Sequence, residues 1–258
     1  MAVLSGDMKD ALALYSQKDV EIPRDLCRRT LLEVMDTKNC GQGLRLLIDS
    51  GAMEHILGPD IAQHIRGRQA DSLVTYLDNV DKTLQIPIRR AALFFRCFNE
   101  KKAEAAIKSL AFSPEDEMHL LDGIYLMDRL YFLTNKYDFK KFLVKYGMDR
   151  YEFLHGLSKA HRIVYDLPVN RIESRDYVLK NIYEYNEPIF EEDLAVSRED
   201  FRQMGIGREK DYDRVFEGLL DLTHMMPKLN TREDLIKYGK KYAKHWWAPY
   251  LKKLKYIK

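Results

Sequence analysis

The chain has 258 residues, 46% of them hydrophobic and 32% charged, with a formal net charge of +2. That length suits one large or two to three small domains with packed cores, and the near-neutral balance excludes bulk attraction for a polyanion, so any such partner must be read from local clustering. Three cysteines (Cys27, Cys40 and Cys97) stand far apart with no C-x-x-C, which predicts neither a zinc site nor a disulfide framework and fits a reducing, cytoplasmic setting. The first residues have no apolar leader pattern, and no run approaches the length of a membrane span.

Apolar residues recur at intervals of three and four throughout and strand signals are nearly absent, so the pattern predicts an all-α chain. A short helix is expected over Met8 to Gln17. Pro23 suits the start of the next, which runs through Leu31, Leu32 and Met35. A loop over Asn39 to Gly43 leads into a helix from Leu44 that stops at Gly51, and a further short helix ends at Pro59. Asp71 to Asp122 reads as a small helical body. Within it Ser113 is placed to cap a helix with Pro114 at its first position. Tyr137 to Tyr146 mixes lysines (Lys140, Lys141, Lys145) with aromatics, and Leu154 to Tyr165 is predicted helical before Pro168.

The last quarter is the most sharply punctuated. Ser197 with Asp200 has the spacing of a capping box, and Gly205-Ile206-Gly207 ends the short helix it opens. Val215, Leu219 and Leu222 then share one helical face, closed by Pro227, and Thr231 with Asp234 opens a final helix. On that helix Leu235, Gly239, Tyr242 and Trp246 form an apolar stripe, while Lys237, Lys241 and Lys244 fall together on another face. From Lys237 to Lys258 there are eight lysines and no acid. This is either a solvated lysine face or an edge that tracks phosphates.

Signals for catalysis are missing. There is no phosphate-binding P-loop, H-E-x-x-H or G-x-S-x-G, and Gly205-x-Gly207 lacks both the third glycine and a preceding strand. Asp211-Tyr212-Asp213 has the spacing of a metal-bridging carboxylate pair but opens a predicted helix. Residues two apart on a helix point about 200° away from each other, so these acids suit a helix N-terminus instead. The seven histidines are scattered, and His155 and His161 do not share a helical face.

Two blocks carry a family resemblance. Asp200-Phe201, Met204-Gly205, Leu219-Leu220 and the run Pro227-Lys228-Leu229-Asn230-Thr231-Arg232-Glu233-Asp234-Leu235 resemble the C-terminal end of the bacterial tRNA nucleotidyltransferase (CCA-adding) and poly(A) polymerase family. Arg24 to Glu33, Gly43-Leu44, Leu46-Leu47, Gly51-Ala52-Met53 and Ile56 to Pro59 are similar to that family's neck. Arg198 stands where the family usually has glycine, and Phe95-Arg96 where some relatives carry a His-Asp pair for metal-dependent phosphohydrolysis. An arginine and a phenyl ring cannot ligate a divalent ion. The family's Gly-Ser turn and paired strand carboxylates, which hold the triphosphate and metal ions, have no counterpart here.

The resemblance implies neck helices over 1–60, a helical body over 61–170 and a tail over 171–258, without a catalytic head. It also implies a tail that grips tRNA by shape and phosphate contact. The residues expected to meet RNA are Lys228, Arg232, Lys237, Lys240, Lys241 and Lys244, with Arg89 and Arg90 as a second patch near Arg96, Lys101 and Lys102. No catalytic residue, cofactor or metal is expected, and the partners would be tRNA or other structured RNA and a separate nucleotidyltransferase head. The alternative is a helical protein-interaction scaffold, docking a partner through the apolar end near Leu12, Leu14 and Tyr15.

Overall fold

The computed structural model describes residues 21–65, 67–81 and 86–245. All regular structure among them is helical. The helices are α1 (Arg24–Asp36), α2 (Cys40–Asp49), α3 (Ala52–Leu57), α4 (Pro59–Ala62), α5 (Arg68–Asp81), α6 (Pro87–Arg96), α7 (Glu100–Ser109), α8 (Pro114–Tyr125), α9 (Met127–Phe132), α10 (Lys136–Tyr146), α11 (Met148–Val164), α12 (Asn170–Glu184), α13 (Arg198–Gln203), α14 (Tyr212–Met225) and α15 (Arg232–Lys244). The expected helix at Met8 to Gln17, the apolar end at Leu12, Leu14 and Tyr15, and Trp246 all lie outside the described residues. None of the described helices is long and apolar enough to cross a membrane.

The chain divides into two compact units. One comprises 1–132 and 149–172, the other 133–148 and 173–258. No division falls near residue 60, because α1 to α3 pack in the same unit as α5 to α8.

In the first unit α6 is central, packed on α8 and α1. Every residue from Arg90 to Phe95 is buried, so the helix is enclosed on all sides. Pro87 sets its first turn, and Phe94 meets Phe95 and Phe98 edge to face at 5.3 and 5.1 Å. Ser113 caps α8 as expected, accepting the Asp116 amide, with Pro114 following.

The loop expected over Asn39 to Gly43 is instead the first turn of α2, with Asn39 at the N-cap position but making no side-chain cap. Gly41 serves close packing there, not a turn. A Cβ on it would lie 2.3 Å from the Val74 carbonyl oxygen and 2.4 Å from Asp78 Oδ1 on α5. Likewise α11 begins at Met148, before the expected Leu154.

The second unit is built on α14, with α15 and α10 packed against it. Its core joins Leu194, Val196, Phe201, Ile206, Tyr212, Val215, Phe216, Leu219, Leu235 and Tyr242. The Ser197–Asp200 capping box forms as the spacing predicts. At the other end of α13 the Ile206 amide donates to the Phe201 carbonyl and the Gly205 amide to that of Arg202, a Schellman stop that needs the φ of +62° Gly205 supplies. Phe201 and Ile206, the two residues that stop brings together, are both buried in the core.

Candidate nucleic-acid interface

Helix α15, which carries most of the candidate lysines, is positioned by the run from Pro227 to Asp234. Pro227 opens a single 3-10 turn, Pro227–Leu229. Asn230 then ties the approach to earlier backbone: its Oδ1 accepts the Ala195 amide and its Nδ2 donates to the Asp193 carbonyl, both at 2.9 Å. The Thr231 hydroxyl accepts the Asp234 amide at 3.2 Å and caps α15.

The inner face of α15 is set by Leu235, Gly239 and Tyr242, all buried. Gly239 lets the helix close on Phe201, whose Cζ would lie 2.2 Å from an added Cβ. Burial pushes the Tyr242 hydroxyl up to about 12, so it stays neutral.

Taking Lys237 as origin at 100° per residue, Lys240, Lys241 and Lys244 fall at about −60°, +40° and −20°. The four ammonium groups therefore share an arc of about 100° opposite the buried stripe. All four are exposed, as is Lys228 on the 3-10 turn. None of the five joins an ion pair among the described residues.

Most arginines nearby are neutralised. Arg232 reaches Asp200 at 2.7 Å, and with the Ser197 amide and hydroxyl it holds that carboxyl down at about 2. Arg202 pairs with Glu199 and Glu209, and Arg208 with Asp211. Arg198 bridges Glu191 and Asp213 at 2.6 and 2.5 Å and lies over the Phe216 ring. Asp211 and Asp213 thus face different arginines at the start of α14. Among the described residues no three His, Cys, Asp or Glu side chains gather to hold a metal ion.

The second expected patch does not assemble as a surface. Arg90 is buried, and its guanidinium donates to the carbonyls of Met35 and Thr37 at 2.6 and 2.8 Å. These carbonyls lie at the C-terminal end of α1, where the helix itself leaves acceptors unused. Arg90 is therefore not exposed as the sequence reading expected, because its guanidinium is used inside the fold. Arg89 is half-buried over the Phe153 ring, and Arg96 donates through Nη2 to both oxygens of Asp128. Only Lys101 and Lys102 of that group stay exposed.

Sequence reasoning missed the role of Lys140. It is fully buried and forms an ion pair with Glu187. Its spacing among neighbouring lysines gives no sign of this. His161, on α11, is hydrogen-bonded to Tyr76, and burial pushes its pKa below the ordinary value.

No family model, curated protein or solved structure matches this chain.

Proposed function

We propose that this chain is an RNA-binding helical module that grips tRNA or similarly folded RNA, acting for a nucleotidyltransferase head outside these residues. What supports the reading is the face of Lys237, Lys240, Lys241 and Lys244: four exposed cations on one helix, without acid partners among the described residues. Neighbouring Arg198, Arg202, Arg208 and Arg232 are all neutralised by carboxylates. Unpaired ammonium groups gain from meeting phosphates because they release condensed counterions without first breaking an ion pair. The likeness of the Pro227 to Leu235 run to the tRNA nucleotidyltransferase tail gives the class of RNA.

Filter binding with tRNA is the direct test. Binding should weaken steeply with salt, and charge reversal at Lys237, Lys241 and Lys244 should reduce it. Absent or salt-independent binding ends the proposal, and nucleotide incorporation by this chain alone would overturn the assignment of catalysis to another head.

A further inference from the structure

The first unit contains a cleft of about 770 Å³ between α4, α5, the turn after α6 and the end of α11. That volume lies within the roughly 300–1,000 Å³ common for small-molecule sites. Its floor is Tyr76, buried, with its hydroxyl 3.0 Å from Nδ1 of His161. The Tyr165 ring stacks on Tyr76 with centroids 5.4 Å apart and planes 25° apart, and His161 meets it edge-on at 5.0 Å. Tyr165 nevertheless remains 54% exposed. A ring braced in this way but still open to solvent can stack a ligand with little ordering cost. Phe98, half-buried, lines the same cleft.

Cations outnumber acids at the cleft. Arg68 and Lys102 line it, both exposed, and neither joins an ion pair among the described residues. Lys102 Nζ reaches the Asp60 backbone carbonyl at 3.5 Å, and Asp60 supplies the one carboxylate in the lining. Gln69 and Asn99 add amide groups. Aromatic faces alone suit any planar ligand and cations alone any anion, but together they select a planar ring carrying a negative group. A single-ring acid would leave most of the volume empty.

We propose that this cleft binds a nucleoside phosphate, its base stacked on Tyr165 beside Phe98 and its phosphate on Arg68 and Lys102. The same chemistry is offered by a free nucleotide and by a nucleotide within single-stranded RNA. Nothing in the proposal uses α15, so it stands apart from the tRNA grip.

The test is calorimetric titration of the full chain with AMP, inorganic phosphate and a short oligoadenylate, with folding of each variant checked by circular dichroism. AMP or the oligonucleotide should bind saturably. Tyr165→Ala should weaken that binding by ~10-fold through loss of stacking, whereas Tyr165→Phe should retain it. The double change Arg68→Glu with Lys102→Glu should weaken it at least as much. Binding of the oligonucleotide but not AMP, with the same variant response, assigns the cleft to an RNA strand; comparable binding of both assigns it to the nucleotide itself. The proposal is overturned if neither binds at millimolar concentration, if Tyr165→Ala changes nothing, or if inorganic phosphate binds as tightly as AMP. Charge reversal on α15 should leave AMP affinity unchanged, so failure of the tRNA grip and failure of the cleft can be told apart.

Discussion

Lys140 Nζ lies 2.7 Å from Glu187 Oε2, and the lysine has no exposed surface. Lys136 reaches the other oxygen of the same carboxylate at 2.6 Å. Burial pushes the Lys140 ammonium below its ordinary pKa against the pull of Glu187. Burial would also raise Glu187, but the hydrogen bond from Lys136 and the charges of both lysines reverse this and hold its carboxyl below the usual range. Beside it Asp221 accepts the Tyr137 hydroxyl at 2.7 Å and the Lys141 ammonium at 3.0 Å. Together these contacts fasten α10 within the second unit.

Removing one partner of this pair should be costly, because the remaining charge stays out of water. Glu187→Gln should lower unfolding stability by about 3–5 kcal/mol in urea denaturation. Lys140→Met should cost less, since Glu187 keeps Lys136. A loss below about 1 kcal/mol for Glu187→Gln, the size of an exposed pair, would mean that the site is solvated.

Acid should weaken the same unit through His224. The residue is buried, with Nε2 2.9 Å from the Ile189 carbonyl and Nδ1 enclosed without a hydrogen-bond partner among the described residues. Burial first, then Lys140 and Lys141, push its pKa down to about 4 despite the Ile189 carbonyl and Asp221. The unfolded chain therefore binds a proton at higher pH than the folded one. Stability from the neutral ring is complete above about 6.5 and is lost as pH falls towards 4, by about 3 kcal/mol. His224→Asn should flatten that slope in denaturation curves at stepped pH, and an unchanged slope would contradict the assignment.

The lysine face predicts a number. Each neutralised phosphate contributes about −0.7 to −0.9 to the slope of log K against log salt, so glutamines at Lys237, Lys240, Lys241 and Lys244 should make the slope shallower by about 3. Thermal stability should barely move, because all four side chains are exposed. A slope unchanged by the quadruple substitution would place the RNA elsewhere.

Arg90 should behave in the opposite way. Arg90→Met strands the Met35 and Thr37 carbonyls, at about 1–3 kcal/mol for each buried group left unsatisfied. The change should lower the unfolding midpoint while leaving tRNA affinity per folded molecule intact. Lysine should rescue it poorly, since one ammonium cannot reproduce the planar fork of the guanidinium. A selective loss of RNA binding in a fully stable Arg90→Met protein would return Arg90 to the interface.

Much of this was legible from the chain alone. The caps at Ser113, Ser197 and Thr231, the stop at Gly205 and the opposition of lysines to Leu235, Gly239 and Tyr242 each depend on residues within one or two helical turns. Local spacing therefore determines them, and sequence reports local spacing directly. The exchange of a loop for helix at Asn39 to Gly43 marks the limit. Glycines there read as a turn until α5 is seen lying against Gly41.

The tertiary structure alone decided which charges were free. Lys140 and Lys141 look alike in sequence and each pairs with a carboxylate distant along the chain, yet Lys140 is fully buried against Glu187 while Lys141 beside Asp221 stays half-exposed. Arg89 and Arg90 differ in the same way. The stacked pair of Tyr76 and Tyr165 likewise joins α5 to the end of α11. The physical reason is that a side chain's solvation and partners are fixed by elements far apart in the chain, whereas helix formation is fixed by neighbours a few residues away.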